Sequence, residues 1–229
     1  MVYESDRTFR NYVNRLTRSA WMGNLRRTQP LSDHWGFDRG TPIDRYYIET
    51  FLRMYRSDVR GRVLEVKDDT YTRSLDSGVD RFDVLDINPG NARATITADL
   101  AAAGNIDPDQ FDCFVLTQTL HLIYDVHAAI AHAHRILRPG GSLLVTVPAV
   151  SRITRGYEQC EYWRFTVAGC TELFGSVFGA SQVRVLGYGN VLTGIGFLAG
   201  LACEDLSRRE IDVRDKHFPV LIAVRAVKQ

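Results

Sequence analysis

Apolar positions recur at two periods along this chain, and the change of period divides it. Phe9, Tyr12, Val13 and Leu16 fall at i, i+3, i+4 and i+7, one apolar face of a helix, with Arg7, Arg10, Arg15 and Arg18 mostly on the other. A loop with Gly36, Gly40 and Pro42 follows. A second helix is predicted from about Asp44 to Arg56, its stripe made by Tyr47, Ile48, Phe51, Leu52 and Tyr55. From Gly61 the helical period gives way to short apolar runs of strand length, at 62–66, 79–84, 94–97, 111–117, 142–148, 182–188 and 218–227. Helices are predicted between them. One spans about Asp125 to Leu137 and is closed by Arg138-Pro139-Gly140-Gly141; another spans about Thr166 to Phe178. Strands separated by helices imply parallel pairing through right-handed crossovers. The last two strands are joined differently, by a partly helical stretch from Val191 to Asp212. The expected organisation is an N-terminal helical cap over residues 1–60 and an α/β domain over 61–229.

Composition narrows the partners. The 229 residues suffice for one sizeable α/β core, and 45% hydrophobic with 24% charged residues are values of an ordinary globular domain. A net charge of +1 gives no overall electrostatic support for nucleic-acid binding. The longest apolar run, Val191 to Cys203, has 13 residues including three glycines. A membrane-spanning helix needs roughly 20, so a buried helix or a homodimer interface is expected there and no membrane span. Cys113, Cys160, Cys170 and Cys203 form no C-x-x-C pair, and the Arg-rich start does not read as a secretory signal. A reduced, cytoplasmic protein is the expectation.

Ligands of open parallel sheets bind outside the carboxyl ends of the strands. Arg62-Val63-Leu64-Glu65-Val66 reads as a buried strand ending in a carboxylate, and the next turn, Lys67-Asp68-Asp69-Thr70-Tyr71, lacks the glycines that let backbone approach a pyrophosphate. That argues against NAD or FAD. Other strand ends carry Asp83 and Asp86, then Asp99 and Leu100, then Thr117, Gln118 and His121. Carboxylates at three successive strand ends suit a ligand rich in hydroxyl and amino donors and repel phosphates.

The order and spacing of Val63-Leu64-Glu65-Val66, Asp83, Ala98-Asp99-Leu100, Phe111-Asp112-Cys113-Phe114-Val115-Leu116-Thr117 and Arg135-Ile136-Leu137-Arg138-Pro139-Gly140-Gly141-Ser142-Leu143-Leu144-Val145 resemble the class I S-adenosylmethionine-dependent methyltransferases. More narrowly, Arg39-Gly40-Thr41-Pro42-Ile43-Asp44-Arg45 and Tyr162-Trp163-Arg164-Phe165-Thr166 resemble a bacterial group associated with glycan or specialised-metabolite biosynthesis. The resemblance implies a Rossmann-like, seven-stranded, mostly parallel sheet in the order 3-2-1-4-5-7-6 with the last strand antiparallel. It implies S-adenosylmethionine as cofactor, with Glu65 at the methionine amino group and Asp83, or Asp86 if strand two ends later, on the ribose hydroxyls. Asp99 and Leu100 would meet adenine, and Thr117 and Gln118 would line the methionine end. Lys67 departs from the glycine usual at its position and could fold outward or fill the pocket.

The acceptor implied is a small molecule, most simply a sugar or specialised-metabolite hydroxyl. Its proton needs a base, for which His121 is the first candidate and Asp125 and Glu161 are alternatives; Asp125 also suits a helix cap. Tyr157, Tyr162, Trp163 and Arg164 lie where such folds build the acceptor wall. His127, His132 and His134 have offsets unsuited to a shared metal, so no metal is expected. Two other readings stay open: a non-methylating binding protein of this fold, and a lyase or cyclase that holds the cofactor without consuming it.

Overall fold

The computed structural model describes residues 13, 23, 26–75 and 78–229. The stripe formed by Phe9, Tyr12 and Leu16 lies outside these residues. The chain divides into two compact units, Met1–Pro30 and Leu31–Gln229. The second contains helices α1 (Ile43–Met54), α2 (Thr70–Ser74), α3 (Val126–Ile136), α4 (Val167–Phe178), α5 (Val191–Ala199) and α6 (Arg208–Ile211). Its strands are β1 (Gly61–Val66), β2 (Val79–Asp86), β3 (Ile96–Thr97), β4 (Phe111–Thr117), β5 (Leu137–Pro148), β6 (Val183–Tyr188) and β7 (Leu221–Val227).

The seven strands form one sheet in the order β3-β2-β1-β4-β5-β7-β6. Pairing is parallel through β5, and β7 runs antiparallel to both of its neighbours, β5 and β6. The expected order and mixed character are therefore present. Alternation along the central strands sends Leu64, Phe114, Leu116, Leu143 and Val145 to one face, packed with α3 and α4. Val63, Cys113, Val115 and Leu144 point to the other, where they meet Tyr47, Ile48, Phe51 and Leu52 of α1 and Phe197 of α5. The result is helix layers on both faces of a sheet. Because α1 closes the second core, the compact unit starts at Leu31 and not at Gly61.

Several boundaries move, β3 starting at Ile96 rather than 94 and β7 at Leu221 rather than 218. The Arg138-Pro139-Gly140-Gly141 segment belongs to β5 rather than to a turn after a helix. Leu137 already pairs with Phe111, and the register shifts between Phe111 and Cys113 to absorb the glycines. Strand β2 runs on to Asp86, because Val84 and Leu85 extend its buried run. The loop before α1 docks on the segment after α5: Arg39 makes a two-pronged salt bridge to Asp205, and Thr41 donates through its backbone N–H and its hydroxyl to Glu204. Gly200, at φ +78, ends α5 against the backbone of Ser32, where a Cβ would collide.

Candidate functional site

Strand order reverses between β1 and β4, the switch point outside whose carboxyl ends open α/β sheets bind their ligands. Both strands end in a left-handed residue that is not glycine: Lys67 with φ +69 and Gln118 with φ +45. Such a conformation costs an L-residue with a side chain about 1–2 kcal/mol and concentrates where function demands a backbone shape. Hydrogen bonds hold it. The Lys67 N–H donates to the Leu85 carbonyl, its own carbonyl accepts from Asn91 Nδ2, and the Gln118 N–H donates to the Thr146 carbonyl. The Lys67 side chain is exposed. Its backbone thus follows the path a glycine would take, and its ammonium stands in solvent.

Glu65 is 2% exposed and spans the turn, its Oε1 accepting from the Tyr71 N–H at 3.1 Å and Oε2 from the Thr72 N–H at 2.8 Å. Burial pushes its carboxyl up to about 7 against the pull of those donors. Glu65 therefore shapes the turn from beneath.

Asp83 lies inside β2, not at its end, and is 1% exposed. Its carboxylate takes the Arg62 guanidinium at 2.7 Å, Arg81 at 3.1 Å and the Thr95 hydroxyl at 3.1 Å. These neighbours hold it below the usual carboxylate range despite its burial. Asp86 takes the strand end instead. Its Oδ1 accepts from the Asn88 N–H and Oδ2 from Asn91 Nδ2, with lone pairs to spare. Asp99 is exposed after β3 and caps the 3-10 turn Leu100–Ala102 through the Ala101 N–H; the Leu100 side chain is buried.

Beyond β4, Gln118 Nε2 and His121 Nδ1 are buried without hydrogen-bond partners, as is Thr72 Oγ1 on α2. Orphaned buried polar atoms cost stability unless a ligand or water meets them. The donors and carboxylates at these strand ends match a nucleoside with an amino-acid tail in kind, and the turn 67–71 has no glycine to let backbone cradle a pyrophosphate. The residues therefore fit S-adenosylmethionine.

His121 is 9% exposed, and burial pulls its imidazole down to about 4. It is neutral at neutral pH. Its carbonyl accepts the Tyr162 and Trp163 N–H groups at 2.9 and 3.3 Å, which ties that segment to the turn after β4. Glu161 is engaged rather than free: Oε1 accepts from the Thr154 N–H and Oε2 from Arg164 at 2.6 Å, which keeps it ionised. Asp125 is the cap of α3, accepting from the Ala128 N–H at 2.9 Å. Neither of these two is disposed as the base.

Of the four residues expected at an acceptor wall, three come together. Tyr162 and Trp163 meet Tyr124, a residue the sequence pattern did not single out, with centroids at 5.3 and 6.0 Å. The indole N–H of Trp163 donates to the Ile123 carbonyl at 3.0 Å. Trp163 and Arg164 line a groove of about 480 Å³ that also includes His127 and Leu173. Tyr157 stands apart, exposed on the turn 154–161. Before and within α1, Arg39 is held by Asp205 and Tyr46 by Asp212 and Arg208, while Trp35 lies 3.8 Å beneath the Arg152 guanidinium. Among the described residues no cluster of three or more His, Cys, Asp or Glu could hold a metal, and no helix is long and apolar enough to cross a membrane.

Comparison with known proteins agrees with this geometry. A SAM-dependent methyltransferase from Mesorhizobium loti superposes with a TM-score of 0.54 at 18% identity, covering 84% of this chain and 100% of that one. One from Archaeoglobus fulgidus gives 0.54 at 14% identity over 80% of this chain and 94% of its own. The [4+2]-cyclase SpnF gives 0.51 at 16% identity over 87% and 89%. At such identities the likeness concerns the fold. No curated protein matches the sequence. Residues 23–186 match the family described as "Methyltransferase domain", a class whose cofactor is S-adenosylmethionine. The chain belongs to that methyltransferase-domain family.

Proposed function

We propose that this protein methylates a hydroxyl oxygen of a small-molecule acceptor, a sugar or specialised metabolite, with S-adenosylmethionine as donor. The observation that carries this reading is the pair of left-handed residues, Lys67 and Gln118, on either side of the switch point, with the unpartnered Gln118 Nε2 and His121 Nδ1 beside them. When bound, the cofactor supplies an electrophilic methyl group on a sulfonium. Glu65 would hold the turn under its methionine end, Asp86 would accept from ribose hydroxyls, and Asp99 with the Leu100 backbone would read the adenine edge. Thr117 and Gln118 would line the methionine carboxyl and amino groups.

His121 is the residue best suited to the acceptor's proton. Its neutral imidazole can take that proton at Nδ1, and the backbone bonds to Tyr162 and Trp163 fix its position. Alignment and exclusion of water supply much of the remainder. The aromatic group of Tyr124, Tyr162 and Trp163 would present ring faces to a sugar or flat ring. Four free thiols suit a reducing compartment such as the cytoplasm. A fold shared with a cyclase does not fix the reaction, so the test follows the methyl group. Purified protein is incubated with methyl-labelled S-adenosylmethionine and a panel of hydroxylated acceptors. Label in an acceptor, with stoichiometric S-adenosylhomocysteine, supports the reading. Tight cofactor binding without label in any product supports the non-methylating alternative.

A further inference from the structure

A second groove opens beyond β5, between the start of α4 and the outer face of α5, with a volume of about 590 Å³. Val150, Val167, Val191, Ile195, Leu198 and Phe218 line it. Five of these six are large apolar side chains left exposed, from 37% at Val167 to 52% at Val191 and Phe218. Scattered exposed apolar residues need no explanation, but a convergent set around one concavity marks a binding surface. The groove adjoins the one under Trp163. Phe165 and Thr166 line both it and the groove under Trp163, and Ala149 and Val150 directly follow β5, whose Thr146 carbonyl accepts from Gln118.

Charge selects the occupant. No carboxylate lines this groove, and its one lysine or arginine is Lys216, which forms no salt bridge among the described residues. A bare sugar would leave the aliphatic lining wet, and a cation would face the ammonium. We propose that the groove seats an aliphatic chain whose carboxylate pairs with Lys216, so that the methyl acceptor is an amphipathic acid. The identification of this ligand as the acceptor rests on the methyl-transfer reading; the binding itself does not. At the ~30 Å³ of a water-sized group, the groove has space for up to about twenty such groups, so a twelve-carbon chain fits within it. Each buried methylene tightens binding roughly fourfold before ordering costs, which favours chains that fill the length.

The test uses the full chain and three probes of equal length: dodecanoate, dodecanol and dodecyltrimethylammonium, all below their micellar concentrations. Binding is read by displacement of a dansyl-labelled undecanoate, and S-adenosylhomocysteine is titrated into the same samples by calorimetry. Dodecanoate is expected to bind one-to-one, at least tenfold more tightly than either analogue. Lys216→Glu should remove that preference while leaving dodecanol binding in place, and Ile195→Glu should weaken dodecanoate and dodecanol together by tenfold or more. Both substituted side chains are at or near the surface, so an unchanged thermal midpoint verifies that each variant is folded. Absence of saturable dodecanoate binding, or equal affinity for dodecanol, overturns the proposal. Dimers that Ile195→Glu splits, with no dodecanoate binding, overturn it in favour of a second copy covering α5. Dodecanoate binding without S-adenosylhomocysteine binding would uphold the groove and count against the methyl-transfer reading; the reverse would count against the groove alone.

Discussion

Lys67 offers a graded test of the switch-point geometry. Its φ of +69 places a lysine where glycine is at ease. Relief of left-handed strain on Lys67→Gly is worth about 1–2 kcal/mol. The extra freedom of glycine in the unfolded chain returns about 0.4–1 kcal/mol of that. The net expectation is a gain of about 0.5–1 kcal/mol, a rise in midpoint of roughly 1–4 °C for a chain of this size. Asparagine tolerates this conformation, so Lys67→Asn should gain about half as much. A β-branched side chain tolerates it least, and Lys67→Val should lose about 1 kcal/mol. The hydrogen bonds at this residue are backbone groups and survive all three changes. Urea unfolding at constant m-value measures the series. An order of Gly, Asn, Lys, Val supports the strained turn, whereas removal of a charge alone would move all three variants alike. If Lys67→Gly is no more stable than the natural protein and Lys67→Val is equal to it, the left-handed assignment fails. Since the lysine side chain is exposed, S-adenosylhomocysteine affinity should change less than about threefold in Lys67→Gly. A natural protein that fails to bind while the glycine variant binds would refute its outward placement.

Asp83→Ala strips the carboxylate from the half-buried Arg62 guanidinium and the Thr95 hydroxyl and should cost about 2 kcal/mol of stability. Asp86→Ala should leave stability within about 1 kcal/mol and lower S-adenosylhomocysteine affinity about tenfold, the loss of a charged acceptor; the opposite pattern would return the ribose role to Asp83. For His121, the folded imidazole near 4 lies below the unfolded value of 6.5, so the unfolded state takes up protons first. Stability contributed by the neutral ring is present above pH 6.5 and lost as pH falls toward 4, by up to about 3 kcal/mol. His121→Gln should flatten that part of the pH profile of unfolding, and an unchanged profile would mean the ring is solvated. Gly200→Ala adds a Cβ at positive φ against the Ser32 backbone and should cost more than about 1 kcal/mol by thermal unfolding.

The strands were legible because each is a short buried apolar run: Phe111 to Leu116 could hardly be anything else beside a core. The order of strands came from resemblance to a family, since spacing alone does not say which runs are neighbours. The site was legible as a list of strand ends and illegible wherever chain-distant partners decide. Nothing local to Asp83 announces that Arg62, 21 residues away in sequence, will claim it. Nothing near Tyr124 points to Trp163, 39 residues on. A backbone angle such as that of Lys67 leaves no mark on composition. Asp125 and Glu161 have residue types suited to bases, and only geometry showed one capping α3 and the other bound to Arg164.

The position of β7 bears on how the chain is made. It follows every other strand in sequence yet lies between β5 and β6, and β7 is the sole partner of β6. During synthesis β6 emerges with nothing to pair with, while one side of β5 stays open along seven residues, Ser142 to Pro148. At translation speeds of about 5–20 residues per second, the stretch from β6 to the end of β7 takes a few seconds to appear. Throughout that interval the nascent chain carries an unsatisfied, strongly apolar edge. A ribosome stalled within Val191 to Val220 would therefore hold a species prone to strand-to-strand association, and chaperone demand should peak there rather than earlier in the message.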